Sequence, residues 1–87
     1  MAVEFAWDAG KNDLNMLKHG VSFEEARSVF LDENAVEFFD EDHSDREDRY
    51  LMLGMSNKYR HLLVAYTTRK TGTHIVIRLI SARKATK

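Results

Sequence analysis

HLLVAYTTRKTGTHIVIRLIS, residues 61–81, is the stretch that decides the fold. Its two apolar runs, 61–67 and 74–81, have the length and the aliphatic content that are typical of β-strands. Between them lies TRKTGT (68–73), in which Gly72 favours a hairpin turn. Two strands joined by a short turn pair antiparallel, so the stretch predicts a β-hairpin.

Further strands are predicted on the N-terminal side of this hairpin. RYLMLGM (49–55) precedes a turn signal, SNKYR (56–60), and AVEFF (35–39) and VEFAW (3–7) have strand composition. Three consecutive strands joined by short turns favour an antiparallel meander for the C-terminal part of the chain.

A first helix is predicted over residues 9–19. Asp8 suits the N-cap, because its carboxylate can accept hydrogen bonds from the free amides of the first turn. Gly20 suits the residue after the helix, where the backbone adopts the left-handed conformation. The apolar residues that fit this helix are Ala9, Leu14, Met16 and Leu17.

A second helix is predicted from Ser22 to about Leu31. Ser22 and Glu25 form the S-x-x-E pattern of a capping box. In that arrangement the Ser22 hydroxyl accepts from the Glu25 amide, while the Glu25 carboxylate accepts from the Ser22 amide. The apolar stripe of this helix comprises Phe23, Ala26, Val29 and Phe30.

These elements predict an α+β fold. Two N-terminal helices would pack on one face of an antiparallel, meander-type sheet and form a two-layer sandwich. Since the chain has no proline and no low-complexity linker, residues 1–87 are predicted to form a single domain.

Composition excludes several classes of protein. The absence of cysteine excludes disulfide bonds and cysteine-based zinc sites. No apolar run approaches the roughly 20 residues that cross a bilayer, and MAVEFAWD lacks the pattern of a secretory signal. We therefore expect a cytoplasmic protein that makes no contact with a membrane.

Charge is distributed unevenly along the chain. Up to Met55 there are 14 carboxylates and five Lys or Arg, a net charge of −9; from Ser56 there are eight Lys or Arg and no carboxylate, a net charge of +8. Either the basic part forms a surface that attracts an anionic partner, or the two parts fold together and neutralise each other. The sequence alone leaves both interpretations open.

The acidic stretch DEDHSDRED (40–48) is predicted to be a solvated loop. Its D-x-D spacing is faintly similar to a calcium loop, but the glycine and the glutamate that an EF-hand requires are missing. The partners that His43 would need to bind zinc are also missing. No metal site and no cofactor are therefore predicted.

Basic residues on the C-terminal strands are the candidates for anion binding. Strict alternation places Arg78 with Val76 and Ile80 on a face that is mostly apolar and partly covered. A charged group there needs a partner or a bound anion. Guanidinium groups bind phosphate in a bidentate manner, and tyrosines offer surfaces on which bases stack. A nucleic-acid-binding face and an ordinary solvated face both agree with this pattern.

Four segments, in order and at these spacings, resemble the BrnT family. They are WDxxKN (7–12), HGVSFEEA (19–26), DHS (42–44) and ISARxA (80–85). BrnT proteins are ribonuclease toxins of bacterial type II toxin–antitoxin pairs and have a RelE-like α+β fold. The resemblance covers nearly the whole chain.

The resemblance implies a metal-independent endoribonuclease. Such toxins use the 2′-hydroxyl of the RNA as the nucleophile and inhibit translation and growth. The implied partner is a BrnA-like antitoxin of the ribbon-helix-helix type, which neutralises the toxin. The complex would contact operator DNA only through the antitoxin.

The same resemblance indicates site residues. Arg69 and Arg83 are expected to stabilise the phosphate and the transition state, and Lys11 and His19 to contact substrate and transfer protons. The expected RNA-binding residues are Arg78, Tyr66 and Lys84. Two alternatives remain: a module that binds RNA or antitoxin without cleaving RNA, and a structural subunit with no affinity for RNA.

Overall fold

The computed structural model describes residues 2–85; Met1, Thr86 and Lys87 lie outside the described residues. The elements follow the predicted order of strand, two helices and four further strands. They are β1 (Ala2–Ala6), α1 (Ala9–His19), α2 (Phe23–Ser28) with a 3₁₀ turn (Val29–Leu31), β2 (Val36–Phe39), a second 3₁₀ turn (Glu41–His43), β3 (Arg49–Met55), β4 (His61–Thr71) and β5 (His74–Lys84).

The sheet has five strands in the order β1-β5-β4-β3-β2. The predicted antiparallel meander is confirmed for β2 to β5. The prediction of an antiparallel sheet throughout is wrong, because β1 pairs in parallel with β5 and the sheet is mixed. Strand composition does not specify direction, and β1 has no short turn to its partner that would specify it.

The β4–β5 hairpin is longer than predicted. Pairing continues to Thr71 and His74, so the turn comprises Gly72 and Thr73 instead of the six predicted residues. Gly72 has φ 59°, a left-handed conformation that glycine adopts without strain. The four residues TRKT (68–71) are all polar and exposed, as is common in turns, which explains why this strand end was predicted as part of the turn.

Helix α1 has the predicted ends and an unexpected buried face. Asp8 Oδ2 accepts a hydrogen bond from the amide of Lys11 at 2.9 Å, and Gly20 has φ 67°, which confirms both caps. Leu14 and Leu17 are, however, exposed, and the buried residue of α1 is Asn15. Polar contacts therefore attach this helix to the rest of the chain.

Asn15 joins α1 to β5. Its Nδ2 donates to the carbonyl of Ala82 at 2.7 Å and to that of Val21 at 2.8 Å, while its Oδ1 accepts from the amide of Ala82 at 3.0 Å. The pairing of β5 with β1 ends at Arg78. Beyond that point, the Asn15 side chain forms hydrogen bonds with backbone groups of β5. An edge that would otherwise be unpaired is thereby closed.

Helix α2 begins as predicted, but Glu25 does not complete the capping box. Ser22 Oγ accepts from the amide of Glu25 at 3.0 Å, which confirms that half of the prediction. The predicted bond from the carboxylate of Glu25 to the amide of Ser22 is wrong. Glu25 is 2% exposed and accepts instead from Ser56 Oγ at 2.6 Å and from Arg60 Nε at 2.9 Å. Burial of this carboxylate requires such charged and polar partners.

One hydrophobic core connects the helical segment to the sheet. Phe23, Ala26 and Val29, three of the four predicted stripe residues, are fully buried. They share the core with alternate residues of the central strands, namely Leu62, Val64, Tyr66, Leu79 and Ala82. We call the side of the sheet that carries these residues the covered face, and the opposite side the open face.

Candidate active site on the open face

The open face is built from the residues that alternate with the core. On β4 these are Leu63, Ala65, Thr67 and Arg69. Directly opposite residues of paired strands point to the same side of a sheet. The ladder therefore adds Arg49, Leu51 and Leu53 from β3 and Val76, Arg78, Ser81 and Arg83 from β5.

A β-bulge brings two of these arginines to the same face. Arg78 and Arg83 are five positions apart, and strict alternation would point their side chains to opposite faces. The register shifts so that Ala65 pairs with Ser81 and Tyr66 with Leu79, which leaves Ile80 as the extra residue. Arg78 is exposed on this face, so the prediction of a partly covered position for it is wrong.

The Arg83 cleft is a depression on the open face. Its volume is about 300 Å³. Ala65 and Ser81 are small residues of its floor, and this leaves room for a ligand between the longer side chains around them. The lining comprises Asp40, His43, Arg49, Leu51, Leu63, Ala65, Ser81 and Arg83.

Within this cleft, Asp40 orients His43. The Nδ1 atom of His43 lies 3.1 Å from Asp40 Oδ2 and 3.2 Å from Asp40 Oδ1. Because an ionised carboxylate only accepts hydrogen bonds, Nδ1 carries the proton and Nε2 of the neutral ring is left to accept one. The His43 side chain is 63% exposed, whereas that of Asp40 is 14% exposed. The pair therefore presents a proton acceptor to anything bound in the cleft.

Ser44 holds the turn that carries this pair. Its hydroxyl donates to the carbonyl of Asp40 at 2.6 Å and accepts from the amide of Arg49 at 3.0 Å. The amide of Asp40 also donates to the carbonyl of Arg49 at 2.8 Å. These bonds tie the start of the acidic loop to the start of β3, which fixes His43 beside Arg49.

The Arg69 cleft is a second depression. Its volume is about 230 Å³, and no histidine lines it. Thr67 faces Arg49 on one side and Arg78 on the other, so the two clefts are neighbours. The lining comprises Ala6, Glu47, Thr67, Arg69, Val76 and Arg78.

Arginines of the open face have no ionic partners within the described part of the chain. The ion pairs that arginine forms in residues 2–85 are Arg27 with Glu24 and Arg60 with Glu25. Arg49, Arg69, Arg78 and Arg83 form none. Because guanidinium groups keep their charge at every working pH, these four present permanent positive charge to an external anion.

The predicted pair Arg69 and Arg83 is not brought together. Arg83 lies opposite Leu63, and Leu63 and Arg69 are six residues apart on β4, about 20 Å along the strand. Each arginine lines a different cleft. Arg78 shares the cleft of Arg69.

The remaining predicted cations lie elsewhere. Lys11 is in the first turn of α1 and His19 in the last, both exposed, and neither lines either cleft. Lys84 lies opposite Leu62 of the core, on the other side of the sheet from Arg83.

Tyr66 is not available to stack on a base. It is 1% exposed, packs edge-to-face on Phe30 and stacks on Tyr50. Its hydroxyl donates to the Glu37 carboxylate, and burial followed by this bond raises the pKa of the phenol far above its ordinary value. This burial argues against the predicted RNA-binding role for Tyr66.

Sequence reasoning missed three residues of the Arg83 cleft, namely Asp40, His43 and Arg49. The first two form a D-x-x-H pattern within one turn, which could have indicated the pair. Because six of the nine residues 40–48 are carboxylates, the segment was interpreted as a solvated loop, and the D-x-x-H pattern was not distinguished from the surrounding acidic residues.

Residues 2–85 contain no group of three or more side chains arranged to hold a metal ion. No helix in this part of the chain has the length and apolar character needed to cross a membrane.

Comparisons with known proteins agree with the resemblance seen in the sequence motifs. The family model described as the ribonuclease toxin BrnT of type II toxin–antitoxin systems matches residues 7–87. The fold is similar to the crystal structure of the Brucella abortus ribonuclease toxin BrnT, with a TM-score of 0.68, 22% identity and coverage of 100% of both chains. No curated protein sequence matches. The match over residues 7–87 confirms the predicted family: the chain belongs to the BrnT ribonuclease toxins of type II toxin–antitoxin systems.

Proposed function

We propose that this protein is a metal-independent endoribonuclease toxin whose active site is the Arg83 cleft. The observation that carries the proposal is the meeting, in one cleft, of a carboxylate-oriented histidine and two arginines without ionic partners. Phosphodiester cleavage by the 2′-hydroxyl requires a proton acceptor and cations for the added charge on phosphorus. His43, Arg49 and Arg83 are groups of these kinds.

In the proposed reaction, RNA places the scissile phosphate between Arg49 and Arg83. His43 Nε2 accepts the proton of the 2′-hydroxyl as its oxygen attacks phosphorus. The two guanidinium groups stabilise the charge that develops on the phosphoryl oxygens. The 5′-oxygen leaves with a proton taken from solvent, which yields a 2′,3′-cyclic phosphate and a 5′-hydroxyl end.

Asp40 acts as a positioning residue in this scheme. It holds the proton on Nδ1, orients the ring and stabilises the imidazolium that forms during proton transfer. Because it acts through His43, Asp40→Asn is expected to alter the dependence of kcat on pH. Removal of a side chain with only a structural role would leave that profile unchanged.

The toxin is expected to act in the cytoplasm and to be neutralised by its antitoxin. Membership of a type II toxin–antitoxin family implies an antitoxin partner. We infer that this partner is BrnA-like, of the ribbon-helix-helix type, and that operator DNA is contacted only through it. Co-purification of the product of the adjacent gene, with loss of cleavage in the complex, would test this.

A cleavage assay tests the proposed reaction. Purified protein is incubated with a defined RNA in excess EDTA, and the new ends are identified chemically. The expected result is cleavage with 5′-hydroxyl and cyclic phosphate ends. Salt-dependent retention of RNA without new ends would instead favour a binding module, and no affinity at any salt concentration would favour a structural subunit.

A further inference from the structure

The Arg69 cleft has the chemistry of an anion site and contains no oriented histidine. Two guanidinium groups, Arg69 and Arg78, and the hydroxyl-bearing Thr67 line it. Its one carboxylate is that of Glu47, which forms no ion pair with either arginine. The cleft can hold a phosphate, and its one potential proton acceptor, the exposed carboxylate of Glu47, is oriented by no hydrogen bond within residues 2–85, unlike His43 in the Arg83 cleft.

The two clefts lie a short distance apart along β4. The Arg83 cleft is floored at Ala65, and the Arg69 cleft is lined by Thr67 and Arg69, two and four residues further along β4. These steps correspond to about 7 and 13 Å. Side chains stand roughly perpendicular to a sheet, so one phosphate cannot occupy both clefts. A ligand that fills both must carry more than one phosphate in a row.

The row Arg49–Thr67–Arg78 joins the clefts across three strands. Arg49 lines the Arg83 cleft, whereas the other two line the Arg69 cleft. A continuous basic path therefore runs over the open face along β4. Such a path matches a linear polyanion more closely than a mononucleotide.

We propose that the Arg69 cleft is a second phosphate-binding subsite, which holds a backbone phosphate of the RNA next to the scissile one. This inference rests on the proposed function, because it assigns the chemistry to the neighbouring Arg83 cleft. It makes Arg69 and Arg78 binding residues for substrates longer than a dinucleotide. It also makes Glu47 a group that weakens binding, since its carboxylate lies at the same cleft.

A binding experiment tests the subsite without any cleavage. The probe is a fluorescent single-stranded 2′-O-methyl RNA of ten nucleotides, which has no nucleophilic 2′-hydroxyl. Its Kd is measured against salt concentration for the wild type and for Arg69→Ala/Arg78→Ala. We expect the double variant to bind on the order of ten-fold more weakly and the slope of log Kd against log salt to fall by about 0.7, the contribution of one phosphate on a single strand.

Two further variants control for charge alone. Lys58→Ala/Lys70→Ala removes the same number of positive charges from exposed positions outside both clefts and is expected to keep the wild-type slope. Glu47→Gln removes the carboxylate of the cleft and is expected to tighten binding severalfold. Equal loss of slope in both double variants, or unchanged slope in Arg69→Ala/Arg78→Ala, would overturn the proposal.

Cleavage of two substrates separates this inference from the proposed reaction. Arg69→Ala/Arg78→Ala is expected to raise KM for a decanucleotide about ten-fold more than KM for a dinucleotide, which has one phosphate, with little change in kcat. Equal losses on both substrates would place these arginines in the chemical step and overturn the subsite. If the wild type cleaves neither RNA, the proposed function fails, and the binding experiment still decides the subsite.

Discussion

On the helix side of the molecule the buried carboxylate of Glu25 pairs with the half-buried Arg60, whereas on the open face four arginines have no carboxylate partner in residues 2–85. The difference follows from solvation. A buried carboxylate must be paired, since its desolvation costs several kcal/mol. An arginine in water needs no partner and can bind an external anion. Burial therefore distinguishes charged groups that stabilise the fold from charged groups that are available to a ligand.

Removal of His43 is expected to have the largest effect on the open face. His43→Ala should lower the rate of RNA cleavage about 100-fold or more, because the proton acceptor is lost. The free energy of unfolding should change by less than about 0.5 kcal/mol, since the side chain is mostly exposed. Single-turnover cleavage and urea unfolding measure the two quantities. His74→Ala, an exposed histidine outside both clefts, serves as the control and should cleave at the wild-type rate.

Removal of Glu25 should have the largest effect on stability. Glu25→Ala leaves Arg60 and Ser56 without their acceptor, and we expect a loss of about 3 kcal/mol in the free energy of unfolding. Glu24→Ala is the matched control. Its partner Arg27 lies 3.8 Å away and both side chains are more than half exposed, so a loss below about 0.5 kcal/mol is expected. Equal losses in both variants would contradict the contrast between buried and exposed charge.

Acid should weaken the helix side and leave the positive charge of the four arginines of the open face unchanged. The hydrogen bond from Arg60 is the largest influence that lowers the pKa of Glu25, and the amides of Met55 and Asn34 lower the pKa of Asp32. A carboxyl whose pKa is lower in the folded state stabilises the fold above its ordinary pKa, and this contribution is lost as pH falls through the lowered value. Unfolding free energy should therefore decline below about pH 4.5, more gently in Glu25→Gln. Stability that rises on acidification would contradict this.

Tyr66→Phe should have the smallest effect of the four. It removes a hydroxyl that donates to Glu37, a side chain that water can solvate, so we expect a loss of about 1 kcal/mol in stability. RNA affinity should not change, because the ring is buried in the core. A weaker affinity for RNA in a stably folded Tyr66→Phe would indicate that the hydroxyl contacts RNA, which its burial argues against.

Local signals explain which parts of the fold were predictable. Asp8, Gly20 and Ser22 act within one turn of their own positions, so both ends of α1 and the start of α2 could be predicted from the sequence. The hairpin was readable for the same reason. The direction of β1 was not, because its partner β5 lies some 70 residues away and no turn links them.

The candidate site depended on information that is not local. The sequence could indicate Arg83 as a candidate cation of the site. It contains no pattern that predicts the bulge at Ile80, which directs the Arg83 side chain to the open face. The meeting of His43 with Arg83 depends on the register of three strands and on the Ser44 turn. At Glu25 a local pattern predicted a capping bond that does not form. Its carboxylate instead pairs with Arg60, which is 35 residues away in the sequence.

The central claim is that the open face provides activity and the helix side stability, and a paired measurement on two variants tests it most directly. Cleavage rate at a temperature where both variants are folded, and free energy of unfolding, are determined for Arg83→Gln and Glu25→Gln. We predict that Arg83→Gln cleaves at least about 100-fold more slowly with unchanged stability, while Glu25→Gln is less stable and cleaves at the wild-type rate. Wild-type cleavage by a folded Arg83→Gln would contradict the claim.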